Sequence, residues 1–199
     1  MSYEAKIQAE EKYQEALSYL QDPQSTSEKI RKAFVLLMDA SENGHIESNI
    51  YLGKMYIWYT PIVNYNPQEA LKHFKMAADA GYVEGQGLYG YCMLSLEHNI
   101  DTGIEYLEKA ADQGDLNATE YLCRVYYGGE FGIKPDLNKA YTYSQKLPSN
   151  NNMTDMLRRS MLFKDIYSMI KLKSKWLLHQ KSKNFPVMEH MQVRKSIFL

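Results

Sequence analysis

Long apolar runs are missing from this 199-residue chain. None approaches the roughly 20 consecutive apolar residues of a membrane-spanning helix, so no segment reads as one. Metal chemistry has little to work with. The five histidines (His45, His73, His98, His179 and His190) form no HExxH and no ligand spacing, and the two cysteines make no CxxC, so no metal or other cofactor is expected. His45 and His98 fall at helix ends, and solvent-exposed roles are expected for the histidines. No Ser, Cys or Lys stands beside a base in a nucleophile pattern, and catalysis is not expected. The first twenty residues carry Glu4, Glu10, Glu11 and Glu15, unlike a signal or transit peptide. A reducing, cytoplasmic location is the expectation, and Cys92 and Cys123 then read as buried thiols.

What the chain has in abundance is itself. Met76-Ala77-Ala78-Asp79-Ala80-Gly81 lies over Lys109-Ala110-Ala111-Asp112-Gln113-Gly114, with Met38 to Gly44 as an earlier copy. Eleven residues before each glycine sits a small residue, Ala33, Ala70 or Gly103, and the same offset links Ala140 to Asn151. Both anchor series step by 37, 33 and 37 residues. Two anchors drifting together mark a helical repeat array.

Each copy reads as two helices. In the first, Ser48, Leu52, Gly53 and Tyr56 superpose on Gly85, Tyr89, Gly90 and Met93, and on Ala118, Leu122, Cys123 and Tyr126. The i, i+4, i+8 spacing places a small, a large and an aromatic residue on one stripe. Asn66-Pro67-Gln68-Glu69 predicts the start of a second helix, with an N-cap, a proline at the first position and a capping-box glutamate. Asn99 and Asp136 hold the same place, and the terminal glycine closes the helix. Gly85-Gln86-Gly87-Leu88-Tyr89-Gly90 spells a dinucleotide fingerprint, but no strand precedes it and the register puts Gly90 mid-helix. It therefore reads as helix-packing glycines, each costing the helix about 1 kcal/mol against alanine. Ahead of the array, Tyr3–Leu20 and a helix from about Glu28 to Asn43 form a degenerate pair. The predicted organisation is a repeat domain over 1–150, a long capping helix over 151–182 and a loosely held basic tail over 183–199.

Ala118, Leu122, Tyr126, Gly128, Gly129, Gly132, Asp136, Lys139 and Ala140, with the terminal Ala-Ala-x-x-Gly of the earlier copies, resemble the Sel-one-like repeat, a relative of the tetratricopeptide repeat. Cys123 stands where that family has glycine and Met93 where it has tyrosine. The resemblance implies an all-α, right-handed superhelical solenoid acting as an adaptor or assembly scaffold, with a protein or peptide partner and no catalysis. It also implies that first helices line a concave face. Glu47, Tyr51, Lys54 and Trp58 share one stripe there, matched by Glu84, Leu88, Tyr91 and Ser95 and by Asn117, Tyr121, Arg124 and Gly128. Glu47, Tyr51, Lys54, Trp58, Glu84, Tyr91, Tyr121 and Arg124 are the expected partner-binding residues, since Tyr, Trp and Arg dominate binding hot spots. With 17 tyrosines in the chain, packing between repeats is the competing role.

Charge supplies the alternative. The first 152 residues hold 13 Lys/Arg against 21 Asp/Glu, whereas the remainder holds ten against three. That basic segment, with Lys171, Lys173, Lys175, Lys181 and Lys183 around Trp176, could cap the last repeat or dock on the acidic solenoid. It could also bind an anionic partner, such as nucleic acid, a ribonucleoprotein or an acidic membrane surface.

Overall fold

Alternating helix-start and helix-stop signals become alternating helices. The structure, a computed structural model, describes residues 3–58 and 62–148. Its α-helices are α1 (Tyr3–Leu20), α2 (Ser27–Glu42), α3 (Ile46–Ile57), α4 (Pro67–Asp79), α5 (Val83–Ser95), α6 (Ile100–Asp112), α7 (Leu116–Gly128) and α8 (Leu137–Ser144), with a 3-10 turn at Glu130–Gly132. The helix expected over 151–182, the tail over 183–199 with its lysines Lys171, Lys173, Lys175, Lys181 and Lys183, and Asn151 lie outside the described residues. Each helix packs against its neighbours in sequence, and α5 also packs against α7. Contacts confined to near neighbours are those of an α-solenoid.

The same hydrogen bonds recur in every copy. Gly44, Gly81 and Gly114 have φ of 78°, 86° and 91°, a conformation that costs an L side chain energy and costs glycine little. The residue after each glycine then turns its N–H back onto a buried alanine carbonyl: His45 onto Ala40, Tyr82 onto Ala77 and Asp115 onto Ala110. This is the Schellman closure. At the other end, the N-cap of each second helix donates its N–H to the equivalent first-helix carbonyl. Asn66 reaches Tyr56 at 3.0 Å, Asn99 reaches Met93 at 2.9 Å and Asp136 reaches Tyr126 at 2.7 Å. The shorter loop of the middle copy preserves that bond, so its missing residues cost the fold little. Asn66, Asn99 and Asp136 accept from the first-turn N–H groups as expected. Because the Asn66 N–H is given to Tyr56, the reciprocal half of a capping box is not what closes this turn.

Between the helices of a pair, size is matched against size. A methyl group on Gly53 would stand 2.4 Å from the Phe74 ring, and one on Gly90 would stand 2.8 Å from the Leu107 nitrogen. The equivalent positions in the third copy are Cys123 and Ser144, both fully buried. As the residue on the first helix grows from glycine to cysteine, its counterpart shrinks from Phe or Leu to Ser. The departure at Cys123 is therefore compensated within its own repeat. The fingerprint glycines follow the same logic: Gly85 closes on Ala77 and Gly90 on Gly103 and Leu107, inside helix α5.

Cys92 and Cys123 are fully buried free thiols. Burial pushes both up to about 12, leaving almost no thiolate near neutrality. Neither is expected to react with Ellman's reagent in the native protein, whereas both should titrate in denaturant. Rapid labelling of either in the native state would contradict their placement.

Of the described histidines, His98 is exposed as expected, while His45 and His73 need correction; His179 and His190 lie outside the described residues. His45 is largely buried, capping α3 and lying against Tyr13 with ring centroids 4.3 Å apart. His73 is buried as well. Its Nδ1 lies 2.8 Å from the Asn49 side-chain oxygen, which also accepts from the Ser41 hydroxyl, and its ring stacks on Tyr56. Donation to a carbonyl oxygen requires the proton on Nδ1. Position in sequence could not reveal this, because the burial of each depends on residues of another helix, Tyr13 of α1 for His45 and Asn49 and Tyr56 of α3 for His73.

Burial holds the His73 imidazole below its ordinary value, against a smaller upward pull from Glu69. The sign follows from linkage. The unfolded chain takes up a proton near pH 6.5 that the folded chain resists, so this stability is complete above that pH and is lost as pH falls below it. Urea unfolding at pH 7.5 and pH 5 should show a larger acid loss for the native sequence than for His73→Asn. The difference should be at most about 1.4 kcal/mol per pH unit, the limit for one proton. Equal losses would show that His73 does not carry it.

Candidate partner-binding groove

The stripe on the first helices opens into a groove where α3, α5 and α7 follow one another. The cavity holds about 340 Å³. Lys54 and Trp58 enter from the end of α3, Glu84, Leu88 and Tyr91 from α5, and Asn117 and Tyr121 from α7. Asp115 lies just before α7, while Gly87, Ala118 and Leu107 complete the lining. Its exposed wall is mainly apolar, and Trp58 is 48% exposed, unusual for so large an apolar side chain.

Packing orders the aromatic wall. Tyr91 and Tyr121 meet edge to face, with centroids 4.7 Å apart and an interplanar angle of 85°, a geometry that favours ring pairs beyond simple burial. Burial first, then the neighbouring Tyr91 phenol, raises the Tyr121 hydroxyl above the ordinary tyrosine range. Lys54 spans the repeat boundary to pair with Glu84. Neither wall must be assembled when a ligand arrives, which lowers the entropy cost of binding.

Five of the eight expected residues meet here: Lys54, Trp58, Glu84, Tyr91 and Tyr121. The other three stand apart from this lining. Glu47 lies 3.5 Å from His45 Nε2. Tyr51 packs edge to face on Tyr13 and against the core under α1 to α3. Arg124 lies over the Tyr121 ring at 5.0 Å and 3.6 Å from Glu130. Four lining residues lie off the expected stripe: the core residues Leu107 and Ala118, and two that shape the open space, Gly87 and Asp115. Gly87 occupies the place of Ile50 and Glu120 in the other copies, so its missing side chain was a readable signal. Asp115 follows a closing glycine, where an aspartate is usually just the next helix's cap.

A second constellation imitates a nucleophile site. Ser48 Oγ is 2.9 Å from His45 Nδ1, and His45 Nε2 is 3.0 Å from a Glu10 carboxylate oxygen. Ser48 is fully buried at the small-residue position that Gly85 and Ala118 fill in the other copies, so no substrate reaches its hydroxyl. His45 Nδ1 is engaged as the α3 cap by the Ser48 N–H. Among the described residues no group of three or more His, Cys, Asp or Glu is placed to hold a metal ion, and no described helix is long and apolar enough to cross a membrane.

Helix pairs closed by one recurring hydrogen-bond scheme, stacked only on near neighbours, define a helical-repeat solenoid. The Sel1 repeat model matches residues 46–82, 83–115 and 117–147, just over half of the chain, and the chain belongs to the Sel1-repeat family. Such proteins generally act in protein–protein interaction. The match begins at α3, leaving the α1–α2 pair outside it. The fold is similar to that of a protective antigen of uropathogenic Escherichia coli strains displaying an SLR fold, at TM-score 0.61 and 22% identity over 69% of this chain and 30% of that one. A Sel1 repeat protein from Oxalobacter formigenes is similar at TM-score 0.53 and 21% identity, over 78% of this chain and 58% of that one. The chain thus spans less than two thirds of either relative. No curated protein sequence matches it.

Proposed function

We propose that this chain is a non-enzymatic adaptor that holds an extended segment of a partner protein in the groove of its first helices. The observation that carries the reading is the convergence of Trp58, Tyr91 and Tyr121 on one mainly apolar cavity of about 340 Å³. A cavity of that size lies at the small end of ligand sites and suits one or two side chains of a bound peptide. Rigidity is the scaffold's contribution, because each pair buries its neighbour's apolar face and presents the walls already ordered.

The alternative rests on the charge of the last 47 residues, where ten Lys/Arg face three Asp/Glu, and gives the basic segment an anionic partner. Salt separates the two readings. Partner capture through phosphates or anionic lipid should fall steeply between low and moderate salt, whereas capture through a mainly apolar groove should fall far less. Full-length protein carrying glutamine at Lys171, Lys173, Lys175, Lys181 and Lys183 should keep its partner under the groove reading. Loss of the partner in that variant, with retention in Trp58→Ala/Tyr91→Ala, would overturn it.

A further inference from the structure

The charged groups in the groove do not cancel. Lys54 is paired with Glu84, and no described cation pairs with Asp115. The Asp115 carboxylate is also used unevenly. Its Oδ1 accepts both cap bonds, from the Asn117 N–H at 2.8 Å and the Ala118 N–H at 3.1 Å. Its Oδ2 points toward Gly87, where an added Cβ would stand only 2.8 Å away. The glycine therefore leaves one carboxylate oxygen open to the groove where the other repeats carry Ile50 and Glu120.

The start of α7 contributes the opposite sign. Its macrodipole amounts to about half a positive charge, less than the full negative charge of Asp115, so the floor remains net negative. Around it stand Trp58, Leu88, Tyr91 and Tyr121, surfaces that suit the methylene stem of a long cationic side chain and the flat face of a guanidinium. At longer range, the acidic excess of the first 152 residues favours the approach of a positively charged ligand.

We propose that the groove recognises an extended basic peptide by one arginine or lysine side chain, its cationic head on Asp115 Oδ2 and its stem against Trp58 and Tyr91. This rests on the adaptor reading and adds a chemical specificity to it. The apolar walls hold the segment, and the single carboxylate selects which residue sits between them. Because Oδ1 is committed to the cap, the contact is one-pronged, so aromatic stacking, not a bidentate fork, sets any preference for arginine over lysine.

The test is selection of random dodecapeptides on the immobilised full chain. Groove binders are those that lose affinity for Trp58→Ala/Tyr91→Ala. The expected result is an Arg or Lys enriched at one position between apolar residues. Replacing it by citrulline or acetyl-lysine should weaken binding about tenfold, the scale of one charge-assisted contact at a partly open site. Asp115→Asn should cost the same and not add to the peptide change, since asparagine caps a helix as well as aspartate does. Gly87→Ala, which crowds Oδ2 and favours the helix, should weaken the same peptides and keeps the test open should Asp115→Asn disturb folding. Groove-dependent peptides with no cationic position, or with equal affinity for both variants, would overturn the cation site and leave the adaptor reading intact. An absence of groove-dependent peptides would remove both.

Discussion

Phe74→Ala is expected to destabilise the protein by about 3–5 kcal/mol. Phe74 is the largest fully buried side chain described, and it fills the space that Gly53 leaves on α3. A loss of that size is a large fraction of the roughly 5–15 kcal/mol that holds a domain folded. The complementary change, Gly53→Ala, sets two effects against each other. Helix propensity gains about 1 kcal/mol, but a methyl placed 2.4 Å from a fully buried ring forces a repacking that costs about 1–3 kcal/mol or more. At so short a distance the clash prevails, and net destabilisation is expected. Gly53→Ala/Phe74→Leu should recover part of that loss, because it moves the pair toward the Cys123 and Ser144 arrangement of the third copy. Urea unfolding of Gly53→Ala, Phe74→Leu and the double variant measures the coupling. Additive losses would contradict the size-matching account.

Trp58→Ala/Tyr91→Ala is expected to weaken partner binding by roughly a thousandfold, since two aromatic hot-spot residues contribute about 2 kcal/mol each. The cost to stability should be small. Trp58 is substantially exposed, and removing Tyr91 forfeits its ring pair with Tyr121 and its outer contact with the core around Phe74, about 1–2 kcal/mol, less than the loss of binding. Tyr51→Ala is the informative control. Its ring packs on Tyr13 and the core of the first pairs, so it should lower the unfolding midpoint without weakening the groove contact. Helicity by circular dichroism and binding by calorimetry on the same samples separate the outcomes. A variant that loses both at once would withdraw the assignment of those residues to the groove.

The fold was legible because it is written several times. Gly44, Gly81 and Gly114 mark helix ends, Asn66, Asn99 and Asp136 mark helix starts, and each uses local hydrogen-bond chemistry that needs no distant partner. What the sequence hid is relational. Cys123 looked like a flaw until Ser144 was seen as its counterpart one helix later. His73 looked like one more surface histidine, but its burial depends on Asn49 and Tyr56 of the preceding helix. The candidate groove was legible as a stripe and not as a cavity. Helical spacing grouped Glu47 and Tyr51 with Lys54 and Trp58, but only the C-terminal end of α3 borders the cavity that α5 and α7 also line. Asp115 was hidden by its own ordinary role, since a cap needs only one carboxylate oxygen.

Site-specific photocrosslinking tests the central claim most directly. Full-length protein carrying benzoylphenylalanine in place of Trp58 should form an adduct with its protein partner. The same reagent at Val35, exposed on α2, or at Trp176 in the basic segment, should form none. An adduct from position 176 or 35 with none from position 58 would contradict the groove as the site of partner binding.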